Sequence, residues 1–141
     1  MRWAILCVGL VGCAHVAPPP KLPPRDELHS AILMAAAGVK AMRVECQNQA
    51  AALAENDRGD EAEALIHRCV MDLRPAYADL GDAFDVLRDW TPEEAVRLAC
   101  DAKSAVSAYE SLLPVLERGG FVSHEAEDGA MRARWLVGMC R

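Results

Sequence analysis

Apolar residues recur at alternating four- and three-residue steps along most of this chain, and that spacing commits it to helices. Leu28, Ile32, Ala35, Val39, Met42, Cys46 and Leu53 follow the pattern, interrupted only at Gln49. Ala62, Ile66, Cys69, Leu73, Ala76, Leu80, Phe84 and Leu87 repeat it, with small slips. Ala126, Ala130, Ala133, Val137 and Cys140 repeat it again. Such steps put one apolar stripe on each helix, and a stripe must be buried against another helix.

Start and stop signals divide residues 26–141 into four helices. The first begins near Asp26 and ends before Asn56-Asp57-Arg58-Gly59. The second opens at Asp60 with Glu63 three residues on, an Asp version of the capping box, and runs to about Asp89. The third opens Thr91-Pro92-Glu93-Glu94, which supplies a cap, a first-turn proline and an acid at the third helical position. It ends at Gly119-Gly120, where glycine takes the left-handed cap conformation. The fourth opens at Ser123. Short connections favour antiparallel neighbours, so the expected fold is all-α, an up-down four-helix bundle. Pro75 and Pro114 fall inside the second and third helices. Each is expected to kink or break its helix, which would turn four helices into five or six.

The amino terminus has a different character. Met1-Arg2 supplies a basic start, Trp3 to Val11 an apolar middle, and Gly12 a small residue before Cys13. Leu10-Val11-Gly12-Cys13 resembles the lipobox of bacterial lipoproteins. The resemblance covers residues 1–13 and concerns address, not activity. It implies a signal peptide at 1–12, cleavage before Cys13, and acyl chains on that cysteine. Two or more chains anchor a protein stably, at about 0.8 kcal/mol per buried methylene. It also implies a place in the bacterial envelope, facing the periplasm or the cell surface. Ala14, where an Asp would favour the inner membrane, favours the outer membrane of a Gram-negative host. The apolar run is too short for a spanning helix, which needs about 20 residues. An ordinary cleaved signal, cut near Ala14 or Ala17, is the rival reading.

Residues 13–25 form the expected link between anchor and bundle. Five prolines in 14–25 forbid helix and inner strand, so the stretch reads as a semi-rigid spacer of roughly 40 Å. The chain carries a formal charge of −6, and loss of residues 1–12, which hold one Arg and no acid, makes it −7. That balance argues against nucleic acid, whose binding relies on basic side chains meeting phosphates.

Removing Cys7 and lipidating Cys13 leaves four cysteines, and an even count in an exported domain implies disulfides. Bundle geometry selects among the three connectivities. Cys46 and Cys69 lie about 12 and 11 residues to either side of the first turn, level to within roughly 3 Å at 1.5 Å per residue. Cys100 and Cys140 lie about 20 residues to either side of the last turn. The expected pairs are Cys46–Cys69 and Cys100–Cys140.

No spacing of residues calls for a cofactor or a resident metal. His67 and Cys69, two apart on a helix, point to different sides. No His among His15, His29, His67 and His124 has a partner at a spacing that suggests a triad. Arg58-Gly59-Asp60 matches an integrin tripeptide by coincidence. Trp90, Trp135, Tyr77, Phe84 and Met131 read as packing residues. Asp79, Asp82, Asp85 and Asp89 recur along one side of the second helix. They read as a solvated acidic face, with Ca²⁺ or a basic partner as the functional alternative. The alanines at 35–37, 99, 102 and 105, with Gly38, let helices approach closely, which leaves little room for an apolar ligand pocket and weighs against a carrier of lipids or haem. The expected function is therefore binding or structural, with an envelope protein as partner. A small-molecule or metal-binding module is the second reading, and an envelope enzyme the third.

Overall fold

The computed structural model describes residues 22–89, 91–121 and 123–140. Among these residues every regular element is helical. The elements are α1 (Arg25–Glu55), α2 (Gly59–Val86), a 3-10 turn (Leu87–Asp89), α3 (Pro92–Asp101), α4 (Lys103–Arg118) and α5 (His124–Gly138). The segment expected to be a signal peptide, Cys13 and the first part of the expected tether lie outside the described residues, as does Trp90. Leu22, just ahead of α1, packs against the core. Pro24 then starts α1, its carbonyl accepting from the Glu27 and Leu28 amides.

The stop signals act through backbone geometry. At the end of α4 the Phe121 amide donates to the Leu116 carbonyl and the Gly120 amide to the Glu117 carbonyl. That is a Schellman closure, and Gly120 takes the left-handed conformation it needs, with φ +96°. The first turn closes the same way, with Arg58 donating to Leu53 and Asp57 to Ala54. There the left-handed residue is Asp57, at φ 58°, and not the nearby Gly59. Thr91 forms both halves of its capping box with Glu94, and the Ser123 hydroxyl accepts from the Ala126 amide.

Two sequence expectations about helix ends fail. Asp60 does not cap α2. The helix already includes Gly59, and Arg58 occupies the cap position with no side-chain bond to the backbone, pairing instead with Glu61 one turn on. The third helix does divide, but at Ala102 and not at Pro114, which lies inside α4. At the break the Ser104 hydroxyl donates to the Asp101 carbonyl at 3.4 Å, a local contact that competes with helical bonding. Pro75 likewise lies inside a continuous α2. Each proline deprives the carbonyl four residues back of its donor. Those carbonyls belong to Met71 and Glu110, both exposed residues, so water can replace the missing amide.

Helix α1 packs most extensively against α5 and α2, α2 packs on α4, and α4 packs on α5. The Arg25 side chain donates through Nε to the Leu87 carbonyl at 2.9 Å, joining the start of α1 to the end of α2. The predicted stripes mostly form the core. Leu28, Ile32, Val39, Met42, Leu80, Leu112 and Leu136 are fully buried, and no charged residue is buried among the described residues. Ile66 and Phe84 are exceptions, exposed although they belong to the α2 pattern. Phe84 lies against the His29 ring instead, with centroids 5.0 Å apart. Met131, expected to pack, is 61% exposed.

Cys46 is bonded to Cys69, with Cα atoms 6.5 Å apart, and Cys100 to Cys140, with Cα atoms 4.7 Å apart. Equal depth along neighbouring helices brings these partners together. The first bridge ties α1 to α2, and the second ties α3 to the chain just beyond α5.

Gln49, the polar interruption of the α1 stripe, has a structural task. Its side-chain amide donates to the Leu116 carbonyl at 2.9 Å, in the last turn of α4. Gly119 leaves the room, because a methyl there would fall on the Gln49 amide. Gln49→Leu is expected to leave that carbonyl without its side-chain donor, at a loss of about 1–2 kcal/mol in a urea melt. An unchanged midpoint would show the bond contributes nothing.

Candidate functional site

Asp79 and Asp82 of α2 lie near Asp101 of α3. Asp79 is half-buried, while Asp82 and Asp85 are exposed, and Asp85 lies 3.5 Å from Arg88 one turn on. The backbone of Asp89 continues the row in the 3-10 turn, and its side chain lies outside what is described. Asp101 of α3 joins the group, a residue the sequence pattern did not single out. Burial raises its pKa; Arg97 opposes the rise, and the Asp79 and Asp82 charges reinforce it. Among the described residues no three His, Cys, Asp or Glu side chains converge to hold a metal ion, so the Ca²⁺ alternative has no cage there. Three aspartates spaced along a helix splay their oxygens apart, whereas a calcium cage wraps its ligands around one point.

A second feature lies between α1 and α2, above the Cys46–Cys69 bridge. It is an open groove of about 400 Å³. Its floor is the buried disulfide and Leu73, and Ile66 and Val70 line it with half-exposed side chains. Arg43, Arg74 and Tyr77 also line it. Burial pushes the Tyr77 hydroxyl above its usual range, and the Arg43 charge pulls it back down. Neither arginine forms an ion pair among the described residues. The sequence reading missed this groove because it placed Ile66 in the core. The available signal was the pair of cations beside an apolar stripe in an acidic chain. A second open hollow, between α1 and α5 and lined by Lys40, Val44 and Phe121, carries both charge signs through Glu45 and Glu125.

The interior encloses a polar atom of consequence. Tyr109 of α4 is 1% exposed, and its hydroxyl donates to the Ala35 carbonyl of α1 at 2.6 Å. The hydroxyl occupies the space between Gly38 of α1 and Gly129 of α5. Burial first, and the Glu125 charge next, hold it protonated far into alkaline solution. A raised pKa in the folded state contributes stability below the ordinary phenol value near 10, and that contribution is lost as pH rises past it. Unfolding free energy is expected to fall above about pH 10. Tyr109→Phe is expected to flatten that part of the profile. An equal alkaline slope in both proteins would assign it to other groups. Tyr109 is thus a packing and hydrogen-bonding residue, sealed from solvent and from any substrate.

No described helix is long and apolar enough to cross a membrane. The chain matches no family model, no curated protein and no solved structure, so its function has to be argued from its own residues.

Proposed function

We propose that this chain is a lipoprotein of the bacterial envelope, anchored by acyl chains on Cys13, that holds a rigid helical module away from the bilayer for a protein partner or a structural role. The observation that carries this reading is the string Leu10-Val11-Gly12-Cys13 after a basic start and an apolar run. The rest of the chain is consistent with that address. Two disulfides suit an oxidising compartment. The prolines of 14–25 suit a spacer. The module is an up-down four-helix bundle in which α3 and α4 together make the third helix. The closed circuit of packing from α1 to α2, α4, α5 and back to α1 supports that order. The partner engages the side bearing Asp79, Asp82, Asp85 and Asp89, and the nearness of Asp79 and Asp82 to Asp101 supports a basic contact surface.

Membrane fractionation with palmitate labelling tests the anchor. The wild-type chain is expected to sediment with membranes and to take up label, and a Cys13→Ser chain to do neither. A Cys13→Ser chain that still sediments would refute the anchor. Affinity capture from solubilised membranes tests the acidic side. A co-purifying protein is expected to be lost when Asp79, Asp82 and Asp85 are changed to Asn, and its retention would remove that side from the reading. The groove over Cys46–Cys69 favours a second reading, that of a small-molecule binding module.

A further inference from the structure

The groove between α1 and α2 is polarised from end to end. The Cys46–Cys69 bridge fixes which residues of the two helices lie level. Arg43 precedes Cys46 by three residues, and Arg74 follows Cys69 by five. Because the start of α1 meets the end of α2, both cations lie on the same side of the bridge. Tyr77 lies there too, within reach of the Arg43 charge. Ile66 lies on the opposite side, and Val70 stands beside the bridge. From Ile66 to Tyr77 the groove follows ~16 Å of α2 at 1.5 Å per residue.

Three properties define what such a groove accepts. Its volume, about 400 Å³, falls in the range of small-ligand sites, which combine an apolar lining with a few orienting polar groups. Its apolar floor is already buried, and Val70 remains 52% exposed, so apolar surface is available for covering. Its polar end presents two guanidinium groups that have no acidic partner among the described residues, in a protein whose overall charge is negative. Guanidinium groups bind planar oxyanions through paired, charge-assisted hydrogen bonds. A neutral or cationic ligand leaves that end unused.

The geometry points to a binding site for a single-chain amphiphile with an oxyanion head. The head lies between Arg43 and Arg74, with the Tyr77 hydroxyl as a further donor, and the aliphatic tail lies over Leu73 and the disulfide toward Val70 and Ile66. A free carboxylic acid of medium chain length is the simplest such molecule. This site lies outside the bundle centre, where the close-packed alanines leave no room for a tail. It does not depend on how the chain is anchored.

Photoaffinity labelling tests the assignment on the full chain in phospholipid nanodiscs, with dodecanoate carrying a terminal diazirine as the probe. Label is expected on the α2 residues between Ile66 and Leu73. Excess unlabelled dodecanoate is expected to reduce it at least tenfold, and dodecanol to leave it nearly unchanged. Changing Arg43 and Arg74 together to Gln is expected to lower labelling about tenfold. That follows from loss of both charge-assisted contacts. These exposed side chains hold no other element in place, so the variant is expected to fold, and its helical circular dichroism verifies that. A Val70→Asp chain checks the tail end independently and is expected to lose label as well. Label spread over the whole chain, equal competition by dodecanol, or full labelling of the double variant would each overturn the site. So would displacement by an acidic Leu- and Glu-based peptide but not by dodecanoate, which would assign the groove to a protein segment.

Discussion

A chain lacking the Cys46–Cys69 bridge is expected to lose about 3–4 kcal/mol of stability, and a chain lacking Cys100–Cys140 a similar amount. The bridges close separations of 23 and 40 residues, and the entropy they remove from the unfolded chain grows slowly with loop length. A domain of this size has only about 5–15 kcal/mol in total. Losing both bridges therefore removes half of a typical reserve or more. Urea melts of the two double-alanine chains, with and without reductant, measure each contribution. The second bridge also has a local effect. Cys140 lies beyond Gly138, where α5 ends, so the bond fixes a chain end that would otherwise fray. Amide exchange near Leu136 is expected to accelerate when it is broken, with exchange around Met42 much less affected. Equal acceleration at both places would mean that the bridge acts only on the global equilibrium.

The second large effect concerns Tyr109 and two glycines, and here one substitution type takes opposite signs. Gly→Ala inside a helix ordinarily stabilises by about 1 kcal/mol, since alanine restricts the unfolded chain. Gly81 in α2 has open space where the methyl would go, so Gly81→Ala is expected to follow that rule. At Gly129 the methyl would meet the Tyr109 hydroxyl, the Met34 carbonyl at 2.9 Å and the Gly38 Cα at 3.1 Å. At Gly38 it would meet the same hydroxyl and the Glu125 carbonyl at 3.0 Å. Backbone atoms of α1 and α5 cannot yield cheaply. Overpacking of this kind costs about 1–3 kcal/mol, enough to reverse the sign. Tyr109→Ala is expected to be worse, at about 3–5 kcal/mol, because it empties the centre of the contact among α1, α4 and α5. Thermal or urea melts of the four variants decide the matter. Stabilisation by Gly129→Ala would mean that α1 and α5 do not approach this closely.

Much of the secondary structure is legible locally. Thr91, Ser123 and the Gly119-Gly120 pair act on backbone groups within a few residues, so their signals need no knowledge of the partner helices. The disulfide pairing is legible for a related reason. Once helices and turns are placed, the rise per residue fixes which cysteines are level. Asp60 shows the limit of such reading, since a plausible cap three residues before a Glu stands already inside α2. Arg58 and the left-handed Asp57 settle the turn first.

By itself, the sequence determined that this chain forms helices, where most of them start and stop, and which thiols share a depth. Those properties depend on steps of one to four residues and on a constant rise. Only the tertiary structure decided which stripe positions are buried, and it left Ile66 and Phe84 outside while enclosing Tyr109 between two glycines. It also turned Gln49 from an interruption into a donor for another helix, and divided the third helix at Ala102 instead of Pro114. The physical reason is that burial depends on how far apart helices cross and at what height. Side chains far away in sequence set those quantities, and periodicity along one helix carries no record of them.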